Sequence, residues 1–227
     1  MNLSTLFRTK ENLSLDKNTL TTLRYLAISG QFLAIGIVYY YLKLPFPIIE
    51  SYLIISFGLA TNLYLQFGVK ISQLKDFYAA PFLLYDLIQL SALLYLTGGI
   101  FNPFSFLLVI PAIVSSTFLS MGTTIILGFI TSVLLLIISF NYLPLPGEEM
   151  NLLHFPNFYK TGIIISILIG LIFLSYFGIR FAGEKKKTQE AFKKLQEVIY
   201  KEYELESLGG QAAAAAHSLG TPLATIS

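Results

Sequence analysis

The sequence predicts an all-α fold, in which a six-helix transmembrane bundle is followed by a cytoplasmic coiled-coil linker and the start of a further helix. Three observations predict this architecture. Only 12% of the 227 residues are charged and 55% are hydrophobic, whereas about a quarter of the residues in a soluble domain are charged. Six long apolar runs follow one another, and the segments between them have three to twenty residues. A charged segment with apolar residues at helical spacing comes after the last run.

Each of the six apolar runs is long enough for one membrane span. A helix of about 17–20 residues rises about 25–30 Å, which is close to the thickness of the hydrocarbon core. The runs cover residues 23–42, 48–67, 77–96, 103–119, 123–140 and 161–179. Because only residues 120–122 separate the fourth run from the fifth, these two runs predict a tight hairpin.

Changes in composition along the chain predict four segments. They are a polar cytoplasmic N-terminal segment (1–21), a six-span transmembrane domain (22–180), a cytoplasmic helical linker (181–208) and the beginning of another domain (209–227). Apolar steps of three and four in the linker indicate a two-stranded coiled coil, although a charged surface helix would show a similar pattern. The apolar linker residues are Phe192, Leu195, Val198, Ile199, Leu205 and Leu208. Gly209 and Gly210 then weaken the helix and suggest a soft joint.

The distribution of basic residues predicts the orientation of the spans. Cytoplasmic loops carry an excess of lysine and arginine. With six spans, one side of the membrane receives Arg8, Lys10, Lys17, Arg24, Lys70, Lys75, Arg180 and Lys185 to Lys187. The opposite side receives only Lys43 and Lys160. Both ends of the chain are therefore expected in the cytoplasm.

Composition also argues against several classes of site. The chain has no cysteine, so it predicts no disulfide and no thiolate zinc site. Its two histidines, His154 and His217, lie far apart in the sequence and predict no metal cluster. The net charge of +2 is too small to indicate direct nucleic-acid binding. No signal peptide is evident, because the first apolar run is too long and lacks a small-residue cleavage site.

Polar residues inside the apolar runs have two possible roles. Ionisable groups are costly in hydrocarbon and usually face the bundle interior or a cavity. Asp86 in the third run could form an interhelical hydrogen bond that fixes packing, or it could tune a nearby ligand site. Gln31 and Asn62 are predicted to be packing contacts. The spans show no paired charges in the sequence, which counts against a transporter.

The segment 97–104, between the third and fourth runs, reads TGGIFNPF and also has two interpretations. Glycines end a helix, Asn102 can cap the next one, and Pro103 fits its first turn, where no amide donor is needed. Alternatively, Phe101, Phe104 and Phe106 would offer flat apolar faces to a quinone ring at the membrane interface. Asn102 and free backbone amides could then donate to a quinone carbonyl.

A single histidine follows five alanines near the end of the chain. Residues 211–225 read QAAAAAHSLGTPLAT, and the alanines favour helix at every position. Imidazole titrates near neutrality and is a good nucleophile when neutral, so His217 is a candidate for covalent chemistry. A helix with an ordinary surface histidine would look the same from composition alone.

Both stretches resemble motifs of one family. Residues 211–225 resemble the phosphoacceptor box of bacterial sensor histidine kinases, and more narrowly that of the redox-responsive RegB/PrrB group. The turn resembles the Gly-Gly-x-x-Asn-Pro-Phe motif with which that group senses the ubiquinone pool. Its fixed positions are Gly98, Gly99, Asn102, Pro103 and Phe104. The two motifs stand in the family's order and, with six spans, on opposite sides of the membrane.

The resemblance implies a two-component sensor kinase in the bacterial inner membrane. His217 would take a phosphoryl group from ATP and pass it to an aspartate of a response regulator, within a homodimer embedded in lipid. Residues 209–227 would begin the dimerisation and phosphoacceptor domain, and ubiquinone would be sensed at residues 98–104, with Phe101 included. ATP would bind a downstream domain, because residues 1–227 contain no glycine-rich phosphate loop in a strand–turn–helix context.

Two positions qualify the resemblance. Ser218 stands where the family usually has an acidic residue that orients the ring and accepts its proton, and serine is a far weaker base. Thr221 matches the family's Thr or Asn, which implies that phosphatase activity persists. A catalytically impaired regulatory membrane protein and a six-span transporter-like protein remain the alternatives.

Overall fold

The computed structural model describes residues 14–147 and 156–224, and at residues 157, 213 and 215–224 it describes the backbone alone. The described residues are mainly helical, as predicted. Their α-helices are α1 (Lys17–Gly36), α2 (Ile48–Leu63), α3 (Asp76–Leu96), α4 (Ile110–Phe118), α5 (Met121–Phe140) and α6 (Asn157–Ala224). The chain divides into two compact units, Met1–Ala182 and Gly183–Ser227.

The first helix begins earlier than its apolar run. Asp16 caps α1 because its carboxylate accepts a hydrogen bond from the Thr19 amide at 3.0 Å. Leu15–Asp16, named β1, pairs in antiparallel fashion with Gln73–Leu74, named β2. The expectation of a purely helical chain is therefore wrong at this point. A strand of two residues leaves almost no periodic signal in the sequence, and its pairing depends on a partner far along the chain.

The first two helices each end in a short π-helical stretch. Ile37–Tyr41 continues α1, and Tyr64–Gly68 continues α2. With these extensions, five helices of the described residues are long and apolar enough to cross a membrane, namely Lys17–Tyr41, Ile48–Gly68, Asp76–Leu96, Met121–Phe140 and Phe158–Ala212. Many large apolar side chains on these helices are exposed, as expected for surfaces that face lipid. Examples are Phe57 at 69%, Phe129 at 69% and Ile172 at 71%.

The fourth run departs from the predicted α-helix. Pro103–Val109 is a 3₁₀ helix, and α4 follows it directly. Pro111 stands in the first turn of α4, where its missing amide hydrogen costs no helical hydrogen bond. A 3₁₀ helix rises about 2.0 Å per residue, so Pro103–Phe118 extends about 27 Å despite its few residues. This length is close to the hydrocarbon thickness, although the prediction of six spans stays a prediction.

Helix α3 is the central helix of the first unit, because it contacts α2, α4 and α5. Leu83, Leu87 and Leu94 on this helix are almost fully buried and belong to the main apolar core. The predicted tight hairpin is confirmed, since α4 ends at Phe118 and α5 begins at Met121. The carboxylate of Asp76 at the start of α3 accepts hydrogen bonds from this hairpin, including one from the Thr123 hydroxyl at 2.6 Å.

The second unit contains the C-terminal part of α6. The helix continues through Gly209 and Gly210, where an added Cβ would meet no other atom within 4 Å. The six apolar linker residues are all exposed, with Ile199 at 42% and Leu205 at 69%. Exposed apolar residues along a helix are what a coiled-coil seam shows in the absence of its partner. The coiled coil itself stays a prediction.

Candidate ligand cavity and phosphoacceptor segment

The turn after α3 requires glycine at two positions. Gly98 and Gly99 adopt φ values of +106° and +57°, in the left-handed region that L side chains rarely adopt. A Cβ on Gly99 would lie 2.6 Å from the Ile138 carbonyl oxygen and 2.6 Å from Tyr142. Both the backbone conformation and the close packing against the end of α5 therefore exclude larger residues.

Asn102 holds this turn with its side chain. Its Oδ1 accepts from the Phe104 amide at 2.9 Å, and Pro103 occupies the first position of the 3₁₀ helix. The predicted helix cap is confirmed. Its Nδ2 donates to the Thr97 carbonyl oxygen at 2.9 Å and to the Thr97 hydroxyl at 2.7 Å. Both amide hydrogens of Asn102 are thus used inside the turn, and its role as a donor to a ligand stays a prediction.

The aromatic residues of the turn differ in their surroundings. Phe101 packs edge-on against Tyr142, with ring centroids 5.7 Å apart. Phe104 and Phe106 are about half exposed, at 48% and 49%. Phe104 lines a cavity inside the first unit and Phe106 does not. The three rings therefore do not form one common face.

The cavity has a volume of about 810 Å³ and an almost entirely apolar lining. It lies between α1, α3, the 3₁₀ helix and the chain after α5, and it brings together several residues that are distant in sequence. The sequence-predicted site residues on its wall are Asp86, Asn102, Pro103 and Phe104. Gly98, Gly99 and Phe101 are not on the wall. They instead shape the turn that carries Asn102, Pro103 and Phe104 at one end of the cavity.

A buried ion pair lies on the wall of this cavity. Arg24 is 3% exposed, and its Nε donates to the two carboxylate oxygens of Asp86 at 2.9 and 3.2 Å. Arg24 Nη2 donates to the Thr61 hydroxyl at 2.8 Å. The guanidinium also lies over the rings of Phe82 and Tyr85, at 5.4 and 5.7 Å from their centroids. Arg24 thus joins α1, α2 and α3.

This ion pair corrects two predictions. Arg24 does not belong with the cytoplasmic loop charges, because it lies within α1 and is buried. The statement that the spans lack paired charges is also wrong. The sequence signal was an arginine inside an apolar run and an aspartate inside another run, since charges in hydrocarbon usually pair with each other. The expected interhelical contact of Asp86 is confirmed.

A second polar contact lies further along the same wall. Gln89 Nε2 donates to Gln31 Oε1 at 3.1 Å, and both residues line the cavity. Gln89 packs directly on Gly58, where a Cβ would lie 2.5 Å from Gln89 Nε2. Asn62 donates to the Thr21 carbonyl oxygen at 3.2 Å. The predicted packing roles of Gln31 and Asn62 are confirmed.

The segment that contains His217, which the sequence predicts to be the phosphoacceptor, lies in the second unit. The backbone is helical at His217, Ser218 and Thr221, as part of α6. The side chains of these three residues lie outside the described part of the structure, and so do His154 and residues 225–227. Among the residues that the structure describes, no group of three or more His, Cys, Asp or Glu side chains could hold a metal ion.

Replacing Gly99 with alanine should destabilise the first unit by about 2–3 kcal/mol. The new methyl group would be forced against the Ile138 carbonyl oxygen at a positive φ, so the penalty combines backbone strain with a clash. Unfolding in detergent, followed by circular dichroism, would measure the change. Gly128→Ala is the control, because nothing lies within 4 Å of a Cβ there and alanine is the better helix former. Equal stability of the two variants would contradict this account of the turn.

Comparison with known proteins agrees with the two motifs. Two curated proteins of Cereibacter sphaeroides, both described as Sensor histidine kinase RegB, are 38% identical to the chain over 209 residues. The matched residues are 92% of this chain and 45% of each relative, so the chain spans about half the length of these relatives. No protein-family model and no solved structure matches the chain.

The long apolar helices fit a multi-pass membrane protein, and both matched relatives are sensor histidine kinases. Over 92% of its length, the chain is similar to sensor histidine kinases of the RegB type.

Proposed function

We propose that the chain forms the membrane sensor and the start of the phosphoacceptor domain of a kinase that responds to the redox state of quinones. His217 accepts a phosphoryl group from ATP on a ring nitrogen, and an aspartate of a response regulator then takes it. The observation that carries this proposal is the 38% identity to RegB proteins over 92% of the chain. ATP is bound by a domain outside residues 1–227.

The cavity supports quinone as the sensed ligand. Small-molecule sites have volumes of about 300–1,000 Å³, with mainly apolar walls and a few polar groups that fix orientation. The cavity of about 810 Å³ falls in this range and is bounded by Asn102, Pro103 and Phe104 at one end. Its wall also carries Asp86, whose carboxylate could tune a bound ring as well as hold Arg24. The apolar length of the cavity suits a ring with an isoprenoid chain.

The second unit supports a homodimer. The exposed apolar residues of the linker would pair with those of a second copy, which would bury them from water. The membrane unit would contact lipid through its exposed apolar faces. We place it in the bacterial inner membrane with six spans and both termini in the cytoplasm, where ATP and a response regulator are available. The protein needs no direct contact with nucleic acid for this activity.

Two positions bear on the chemistry at His217. Ser218 replaces the acidic residue that usually orients the ring, so transfer to His217 should be slower than in kinases with a carboxylate there. Thr221 could help water attack the phosphorylated regulator. A regulatory protein without kinase activity is the second candidate, and Ser218 is the observation that favours it. The Arg24–Asp86 pair also removes one argument against a transporter, so the activity must be tested directly.

The test uses a full-length kinase that carries this chain, reconstituted in lipid and incubated with labelled ATP. Oxidised ubiquinone should lower the labelling of the protein relative to the reduced form. Phe104→Leu should weaken this response because Phe104 lines the cavity. Phe106→Leu is a matched control, since Phe106 is equally exposed but does not line the cavity. The proposed sensing site would be refuted if labelling did not depend on quinone. It would also be refuted if Phe104→Leu and Phe106→Leu responded equally to quinone.

A further inference from the structure

The connection between α2 and α3 is an ordered loop that is tied to the rest of the first unit. Strand β2 of this loop pairs with β1, and Leu74 within β2 is fully buried in the apolar core. Lys17 Nζ donates to the carbonyl oxygens of Gln66 at 3.0 Å and Val69 at 2.8 Å, where the π-helical end of α2 passes into the loop. These contacts fix the loop and determine which of its side chains remain exposed.

Several aromatic side chains in and beside this loop are exposed. Phe67 is 75% exposed and Phe77 is 82% exposed. The ring of Phe77 packs edge-on against Tyr78, with ring centroids 5.4 Å apart. The ring of Tyr64 lies against Gly68, where an added Cβ would be 2.8 Å from it. Because aromatic rings are enriched at the boundary between lipid headgroups and acyl chains, these residues suit a surface at that boundary.

Two lysines of the same loop are exposed together with the rings. Lys70 and Lys75 form no ion pair among the residues that the structure describes. The two carboxylates that adjoin the loop are engaged by other groups, since Asp16 caps α1 and Asp76 accepts hydrogen bonds from the hairpin between α4 and α5. The two ammonium groups are therefore available to an anion from outside the chain.

An anionic phospholipid satisfies the rings and the lysines at once. Its acyl chains cover exposed aromatic faces, and its phosphate accepts hydrogen bonds from ammonium groups, which can only donate. A zwitterionic phospholipid offers the same phosphate, but its own cationic group offsets the charge. Each lysine near the bilayer surface should favour an anionic headgroup by about fivefold, and two lysines should favour it by about thirtyfold.

We propose that residues 67–78 form a binding surface for anionic phospholipids. Phe67 and Phe77 insert at the headgroup boundary, and Lys70 and Lys75 pair with headgroup phosphates. This surface is separate from the proposed quinone site, because the wall of that cavity includes no residue of the loop. Lipid binding here therefore depends neither on quinone nor on kinase activity, and it anchors the adjoining ends of α2 and α3 at the bilayer surface.

The test compares two lipids with matched acyl chains, dioleoylphosphatidylglycerol and dioleoylphosphatidylcholine, on the full-length protein in a non-ionic detergent. Native mass spectrometry counts the bound lipids during each titration and gives the two Kd values. The wild type should prefer phosphatidylglycerol, and Lys70→Gln/Lys75→Gln should reduce this preference by about thirtyfold. Phe77→Gln should weaken the binding of both lipids to a similar extent, because the ring contacts acyl chains. All three side chains are exposed, so circular dichroism should show unchanged folding.

Lys43→Gln/Lys160→Gln is the matched control. It removes the same charge from lysines beside other helix ends, and Lys160 is already engaged over the ring of Phe140, at 4.6 Å from its centroid. This control should keep the wild-type preference for phosphatidylglycerol. The proposal is overturned if the variant of Lys70 and Lys75 keeps that preference. It is also overturned if the control loses the preference equally, since the effect would then follow net charge alone. Equal Kd values for the two lipids in the wild type, or wild-type Kd values in the phenylalanine variant, would likewise overturn it.

Discussion

A protein with glutamine in place of His217 should incorporate no acid-labile phosphate when the full-length kinase is supplied with ATP. A neutral imidazole nitrogen is nucleophilic, whereas the amide nitrogen of glutamine is not, because its lone pair is delocalised. Glutamine is also a good helix former, so the backbone of α6 should be preserved. Labelling should fall to the background of the assay, and phosphotransfer to the response regulator should be lost with it.

The only other histidine of residues 1–227 provides the control for this result. His154→Gln should be labelled like the wild type, since His154 precedes α6 and the phosphoacceptor motif. Acid treatment should release the label from the wild type and from His154→Gln, as expected for a phosphorus–nitrogen bond. Wild-type labelling of the His217 variant would show that the phosphate resides elsewhere and would refute the assigned acceptor. Absence of label in the wild type would favour the impaired regulatory protein.

The second large effect concerns the buried ion pair. Asp86→Leu should destabilise the first unit by about 3–5 kcal/mol, because it leaves the Arg24 charge buried without its counter-ion. The double variant Arg24→Leu/Asp86→Leu should recover most of this loss, since apolar residues of similar volume can replace a buried pair at little cost. Unfolding by sodium dodecyl sulfate in mixed micelles, followed by circular dichroism, would measure the three proteins on one scale.

An exposed ion pair supplies the comparison. Lys186 Nζ and a Glu190 carboxylate oxygen are 3.9 Å apart on the surface of α6, with the two side chains 35% and 62% exposed. Breaking this pair with Glu190→Ala should change the stability by no more than about 0.5 kcal/mol. If Arg24→Leu/Asp86→Leu is no more stable than Asp86→Leu, the ion pair has a structural role that apolar side chains of similar volume cannot replace.

The turn at residues 97–104 shows how far local patterns reach. Two glycines followed by Asn-Pro predict a helix end, a cap and a helix start, and the structure contains all three. These features depend on the conformations and hydrogen bonds of neighbouring residues, so a short stretch of sequence is sufficient. The same stretch could not show that the Asn102 amide is occupied by Thr97 or that only Phe104 reaches the cavity. Those facts depend on how the turn packs against other helices.

The fourth run shows a limit of composition. Its apolar residues predict a helix, but they do not distinguish the 3₁₀ form from the α form, and both occur between Pro103 and Phe118. Pro111 in the first turn explains where the α-helix begins. The tertiary contacts of the 3₁₀ part with α3 and α5 decide the form that precedes it.

The sequence by itself determined the long apolar helices, the tight hairpin, the capped turn and the similarity to RegB-type kinases, because each follows from local composition or from short motifs. Tertiary structure alone decided that Arg24 and Asp86 meet, although 61 residues lie between them, and that they share one cavity with Asn102. A charge in an apolar run signals that a partner is needed, but several residues could have served. Only the packing of α1, α2 and α3 selects the partner, and it leaves Nη1 of Arg24 buried without a hydrogen-bond partner among the described residues.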